Sequence, residues 1–256
     1  MILLFVFSFV IGLIMGSFLN CLIYRLYHKK SILGRSFCPR CSKKISWYDN
    51  VPVLSFFLLR RRCRSCRQKI SWQYPLVELA TGFLFLAAAY HQLASGSSDV
   101  VIYLLRDWLM IFALIFTFVY DLKFYIIEDT VLMPIAAVIL FINLFLLKIY
   151  WLNIVLAGLG AGLFFIVQYL ITRGKGIGLG DFRIGILLGV YFGWPNILAA
   201  ILASYLIGSL IGLALILTRQ KKWASQVPLG PFLVIGSLVT MFFGQKIIGW
   251  YLHTFL

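Results

Sequence analysis

Acidic side chains are scarce in this chain: eight aspartates and glutamates stand against 23 lysines and arginines in 256 residues, a formal net charge of +15. Charged residues of both signs make up only 12%, too few to solvate a water-soluble domain of this length. Histidine is scarcer still. His28, His91 and His253 are scattered and no His-Glu-x-x-His run occurs, which excludes the helical zinc-protease motif. The glycine-rich run Gly174–Gly180 lacks the Gly-Lys-Ser/Thr ending of a P-loop and follows an apolar segment rather than a strand, which excludes that nucleotide site.

What the chain has is hydrophobicity: 62% of its residues are apolar and the mean hydropathy is +0.97. Spanning about 30 Å of hydrocarbon takes roughly 20 apolar residues in a helix. Eight stretches answer to that, at about 1–24, 76–94, 102–121, 130–148, 152–172, 182–195, 197–217 and 229–252, with Trp194-Pro195 breaking the sixth from the seventh. The first has no small-residue cleavage site and runs into Asn20, Tyr24 and Arg25, so it reads as a retained helix. The fold class expected is therefore an all-α polytopic membrane protein with about eight transmembrane helices. Its parts are a first helix (1–24), a polar block (25–75) and a membrane body (76–256). No internal repeat is evident.

The basic surplus is a topology signal rather than a nucleic-acid footprint. With residues 25–75 in the cytoplasm, thirteen basic residues of that block face inward, joined by Lys123, Arg173, Lys175, Arg183, Arg219, Lys221 and Lys222. Only Arg106, Lys148 and Lys246 fall outside, as the positive-inside rule requires. The inverted orientation fails the same rule.

Within the polar block, Cys38-Pro-Arg-Cys41 and Cys63-Arg-Ser-Cys66 are two C-x2-C turns. Two such turns complete a tetrahedral site, and structural zinc would supply folding energy to a block too small to build its own core. Disulfides, redox pairs and unused thiols are the alternatives, of which a reducing cytoplasm disfavours the disulfides. All four ligands being cysteine, no position stays open for water. Cys21, within the first helix, reads as a small buried apolar residue.

Two of the few carboxylates close apolar runs. Asp121 follows Trp108–Tyr120, and Asp181 ends Gly174-Lys175-Gly176-Ile177-Gly178-Leu179-Gly180. A carboxylate at the mouth of a membrane helix is costly unless paired, hydrated or in use. Glycines at 176, 178 and 180 would let the backbone turn tightly or let another chain approach. Simpler readings stand beside this: an N-cap for Asp181, a snorkelling carboxylate paired with Lys123 for Asp121, and an N-cap for Asp129. Glu128 adds a carboxylate without an assigned role.

Taken together, several blocks resemble the bacterial type IV prepilin leader peptidase and N-methyltransferase family. They are Gly16-Ser17-Phe18-Leu19-Asn20 with Tyr24-Arg25; the double C-x2-C with Ile45–Pro52 between its halves and Ile70–Glu78 after it; Asp121 and Asp129; Gly178-Leu179-Gly180-Asp181-Phe182; and Pro228-Leu229-Gly230-Pro231-Phe232. Two positions depart from the family pattern: Glu128 stands where proline is common, and Arg60-Arg61-Arg62 where a glycine is common. The resemblance implies Asp121 and Asp181 as the catalytic pair of an intramembrane aspartic protease, with Asp129, Gly178 and Gly180 supporting. It implies prepilin or pseudopilin substrates cut at the cytoplasmic face of the inner membrane, and methyl transfer from S-adenosylmethionine to the new amine. No soluble methyltransferase segment is present, so a cofactor site must be built from the polar block and helix mouths. Glu78, where the block re-enters the membrane, is its candidate contact, with an ion pair to Arg or Lys as the alternative. Three other readings keep the same architecture: a peptidase without methyltransferase activity, a membrane scaffold of a pilus or type II secretion system docking through its zinc-clipped loop, or a proton-coupled transporter. The carboxylates' place at one face, not the midplane, weighs against the transporter.

Overall fold

The computed structural model describes residues 1–174, 176–218 and 228–255. Lys175, Arg219, Lys221 and Lys222, counted above with the inward-facing basic residues, lie outside the described residues. The chain forms two compact units, Met1–Val100 and Val101–Leu256. Among the described residues it is helical, with only two isolated β-bridges, and seven helices are long and apolar enough to cross a membrane.

The first unit contains α1 (Ile2–Tyr27), the short α2 (Leu54–Leu58) and α3 (Gln73–Ser95). The long helices α1 and α3 pack directly on each other because small residues meet. A Cβ on Gly12 would lie 2.7 Å from the Gly82 Cα, and one on Gly16 2.7 Å from the Glu78 Cα. Beyond α1 the chain is turned back by Arg25. Its buried guanidinium donates to the carbonyls of Ile32, Gly34 and Arg35, the last two at 3.0 Å.

The second unit contains α4 (Val100–Phe124, whose first residue belongs to the first unit), α5 (Asp129–Phe141), α6 (Trp151–Thr172), α7 (Asp181–Phe192), α8 (Asn196–Leu217) and α9 (Gly230–Phe255). The stretch expected to span over 182–195 is only the twelve-residue α7. At 1.5 Å per residue it reaches about 18 Å, well short of the hydrocarbon thickness. Its neighbours replace lipid around it, for Ile184, Leu187, Leu188, Val190 and Tyr191 are buried in one core with residues of α4, α5, α6, α8 and α9. Glycines make that enclosure possible. On α7, Gly185 and Gly189 face the Ala157–Ala161 backbone of α6, where a Cβ at 189 would lie 2.5 Å from the Gly158 Cα.

A polar network ties α7 to α4 inside this apolar body. The Tyr191 hydroxyl donates to Asp107 Oδ1 at 2.7 Å, and Arg106 pairs with the same oxygen at 3.1 Å. Arg106 also reaches Asn143 in the π-helical turn Ile142–Leu146, and Asn143 Nδ2 donates to the Val190 carbonyl at 2.8 Å. Buried polar groups this well paired fix the position of the helices that bear them.

Gly189→Ala should therefore force α6 and α7 apart, at about 1–3 kcal/mol for overpacking. Gly160→Ala, on α6 but facing open space, should not. Thermal midpoints of the two variants in one detergent check this contrast.

Candidate functional site

Asp121 lies in the last turn of α4, and Asp181 is the first residue of α7. Both are buried, at 6% and 5% exposure, and each carboxylate is held by one backbone amide. The Gly230 amide donates to Asp121 Oδ2 at 3.1 Å, and the Gly178 amide to Asp181 Oδ2 at 2.9 Å. One oxygen of each carboxylate is thus fixed in place.

The loops around the two aspartates interlock. Gly180 lies against Ile127, six residues beyond Asp121, so closely that a Cβ at 180 would stand 2.7 Å from that side chain. Arg183, two residues beyond Asp181, pairs with Asp129 at 2.7 Å. Asp129 is therefore an ion-pair partner and not the expected cap: α5 begins at Asp129 itself, and no side chain caps it. The Glu128 carboxylate accepts from Thr130 Oγ1 at 2.8 Å and from the Tyr120 hydroxyl at 3.4 Å. Asp181 likewise is not an N-cap, since Gly180 holds that position, and Asp121 makes no ion pair with Lys123 among the described residues.

The glycines before Asp181 act differently from what tight turning would require. None of Gly176, Gly178 or Gly180 has a positive φ, which here belongs to Gly174. Gly180 answers to the close approach of Ile127. A Cβ on Gly178 would meet Asp181 Oδ2 at an ordinary 3.7 Å, leaving the backbone beside that carboxylate uncovered.

In the first unit the four cysteine sulfurs of Cys38, Cys41, Cys63 and Cys66 lie within 4.8 Å of one another, and Cys38 Sγ is 3.9 Å from Cys66 Sγ. Sulfurs 2.3 Å from a tetrahedral metal stand about 3.8 Å apart. The cluster is thus a site that could hold a metal ion. The Cys66 amide brings the Cys63 thiol down to about 7. Cys66, though the Gln68 amide favours its thiolate, is pushed up to about 11 by desolvation and by the other three sulfurs. A cation is what lets four thiolates share so small a space.

The two halves of this clip repeat each other. Cys38, Cys41, Lys44, Ile45, Ser46 and Trp47 recur as Cys63, Cys66, Lys69, Ile70, Ser71 and Trp72. The bonds recur too. The amide of Cys38 donates to Lys43 and that of Cys63 to Gln68; Ile45 donates to Ser36 and Ile70 to Arg61. Phe37 bridges Lys44 as Arg62 bridges Lys69. Ser42 and Arg67 take matching left-handed conformations, φ +56° and +55°. The expectation of no internal repeat is thereby corrected: the spacing of the two Ile-Ser-Trp runs was the available signal. Asp49 joins the halves, its carboxyl held below the usual range by the bidentate Arg64 guanidinium at 2.7 and 2.8 Å.

Among the described residues Glu78 pairs with neither Arg nor Lys. Buried at 5% exposure, it accepts the Val53 amide at 2.7 Å and a hydrogen bond from the Ser17 hydroxyl. Val53 is a β-branched residue at φ +62°, a costly conformation that this bond helps to hold. Nearby, Asn20 Nδ2 donates to the Tyr74 carbonyl at 3.2 Å, and Gln73 Nε2 donates to Asn20 Oδ1 at 3.0 Å. Gly230 was the site residue without an expected role. Its partner Asp121 is 109 positions away, so only the Pro228–Phe232 block marked it.

Two family models match the chain: the bacterial peptidase A24 N-terminal domain over residues 10–92, and the type IV leader peptidase family over residues 108–213. The prepilin leader peptidase/N-methyltransferase of Aeromonas hydrophila is 32% identical across 97% of this chain and 93% of its own length. The protein of the same name in Legionella pneumophila is 32% identical (94% and 92%), and that in Pseudomonas aeruginosa 28% (96% and 92%). No solved structure matches.

The purified protein is expected to carry about one divalent metal ion per chain. Cys41→Ser and Cys66→Ser should each lose it, as elemental analysis of matched preparations will read.

Proposed function

This chain belongs to the type IV leader peptidase family, and we propose that it removes the basic leader from type IV prepilins or pseudopilins and then N-methylates the new terminus. The observation that carries the proposal is the pair of buried carboxylates, Asp121 and Asp181, each anchored by one glycine amide beside interlocked loops. Two carboxylates sharing a site carry one proton between them. The ionised member takes a proton from water, and the water oxygen attacks the scissile carbonyl. The protonated member donates to the carbonyl oxygen and, as the tetrahedral species collapses, a proton passes to the leaving amine. The two act as a unit, and neither is assigned alone to acid or base.

The uncovered backbone beside Gly178 gives an extended substrate strand a place to lie against Asp181. Asp129 supports the site through Arg183, which holds the start of α7 against the start of α5. The basic loops set both aspartates and the cysteine clip at the cytoplasmic face of the inner membrane. There a substrate can keep its apolar helix in lipid while its cleavage point meets water. Zinc is the metal that suits four thiolates, held by Cys38, Cys41, Cys63 and Cys66 with no open position, so its role is structural.

S-adenosylmethionine supplies an electrophilic methyl group when bound. For this step the chain offers Glu78. Its carboxylate is met by neutral donors, the Val53 amide and the Ser17 hydroxyl, and by no cation among the described residues, which leaves it the group that would meet a sulfonium or the terminal ammonium.

Mass spectrometry of a prepilin incubated with detergent-purified enzyme and S-adenosylmethionine tests both activities. Wild type should remove the leader and add about 14 Da, one CH2. Asp121→Asn and Asp181→Asn should each slow cleavage by about a hundredfold or more. Cleavage that survives either change would sink the aspartic mechanism, and no cleavage by folded wild type would favour a scaffold. Glu78→Gln should cleave normally and leave the product unmethylated; a methylated product from that variant would remove Glu78 from the methyl-transfer site.

A further inference from the structure

We propose that α2 and the three arginines after it form an interfacial anchor that binds the phosphate headgroups of anionic phospholipids. Helix α2 turns its apolar side chains outward: Leu54, Phe57 and Leu58 are 61%, 57% and 78% exposed, while Phe56 alone is buried. A soluble loop would not leave three large apolar groups together in water.

Their depth is set by Trp72, the residue just before the membrane-crossing α3. The Phe56 ring packs 5.0 Å from the Trp72 ring, the Phe57 ring lies 6.4 Å from it, and the Arg61 guanidinium sits 5.5 Å from its centroid. Tryptophan at the start of a span marks the headgroup level. Phe57 and its neighbours therefore reach the edge of the hydrocarbon, and Arg61 lies at the height of the phosphates.

Among the described residues no acidic side chain pairs with the charges at that height. Arg60, Arg61, Arg62 and Lys69 line a recess of about 180 Å³ with no acidic group in its wall. Of the acids in the first unit, Asp49 is taken by Arg64, Glu78 is buried against Val53, and Asp99 lies beyond the far end of α3. Arg60 and Arg61 also hold consecutive left-handed conformations, φ +49° and +61°. Glycine adopts these freely and other residues at a cost, so the arginines stand where the backbone alone would favour glycine. Four cations beside exposed apolar groups, at the level of a span's entry, match an anionic lipid: phosphate in the recess, acyl chains beside Phe57 and Leu58.

Native mass spectrometry of the full chain in detergent, titrated with phosphatidylglycerol or phosphatidylcholine, tests this. Wild type should retain phosphatidylglycerol roughly tenfold more tightly, and high salt should weaken the preference. Arg60→Gln/Arg61→Gln/Arg62→Gln should abolish it with metal content unchanged, which shows the domain still folded. If that variant loses its metal, Arg62→Gln alone should still reduce the preference. Phe57→Ser/Leu58→Ser should weaken phosphatidylglycerol binding as well. Equal retention of both lipids, or phosphatidylglycerol binding unmoved by either set of changes, would overturn the anchor. So would displacement of phosphatidylglycerol by millimolar inorganic phosphate, which would make the recess a free-anion site, or binding restricted to acidic polypeptides.

Discussion

The contact between α6 and α7 decides where Asp181 can be. A helix of twelve residues cannot cross a bilayer alone, so α7 must be enclosed by longer helices, and enclosure requires backbones to approach where side chains would otherwise hold them apart. Gly185 and Gly189 supply that approach on one side, and Ala157, Gly158 and Ala161 receive it on the other. Once α7 is seated, its first residue opens from the apolar body towards the loops. The Gly178 amide and the Asp129–Arg183 pair then set the local geometry.

The first unit solves a different problem. Residues 25–75 bury few of their apolar side chains, Cys38 and Phe56 among them, so their order comes from discrete ties: Arg25 on three carbonyls, Asp49 on Arg64, Glu78 on Val53, and four sulfurs close enough to share one ion. Repetition makes the last of these economical, because the same turn built twice brings two pairs of sulfurs together from opposite sides.

Much of the architecture was legible in the sequence because spanning a bilayer leaves a coarse mark, some twenty apolar residues in a row. The exception was α7, whose apolar run 182–195 takes in Gly193, Trp194 and Pro195; their hydropathy does not reveal that the helix has already ended at Phe192. The cysteine clip was legible from spacing alone. Its repetition was hidden by the differing residues between the cysteines, Pro39-Arg40 against Arg64-Ser65. Least legible were partners far apart in sequence: Gly230 for Asp121, Arg183 for Asp129 and Tyr191 for Asp107. Nothing local to Asp129 distinguishes an N-cap from an ion pair, because the deciding residue belongs to another helix.

The Tyr191–Asp107 bond has a mechanical meaning for the two aspartates. Asp107 precedes Asp121 by fourteen residues on α4, about 21 Å of helix, and Tyr191 follows Asp181 by ten on α7, about 15 Å. The two helices are thus riveted at one end, with their carboxylates at the other. Axial slippage of α7 along α4 would break a buried, charge-assisted bond, whereas a small splay about the rivet would not. The axial registration of Asp121 and Asp181 is thus set at the opposite ends of the helices that carry them, by a bond that neither carboxylate makes.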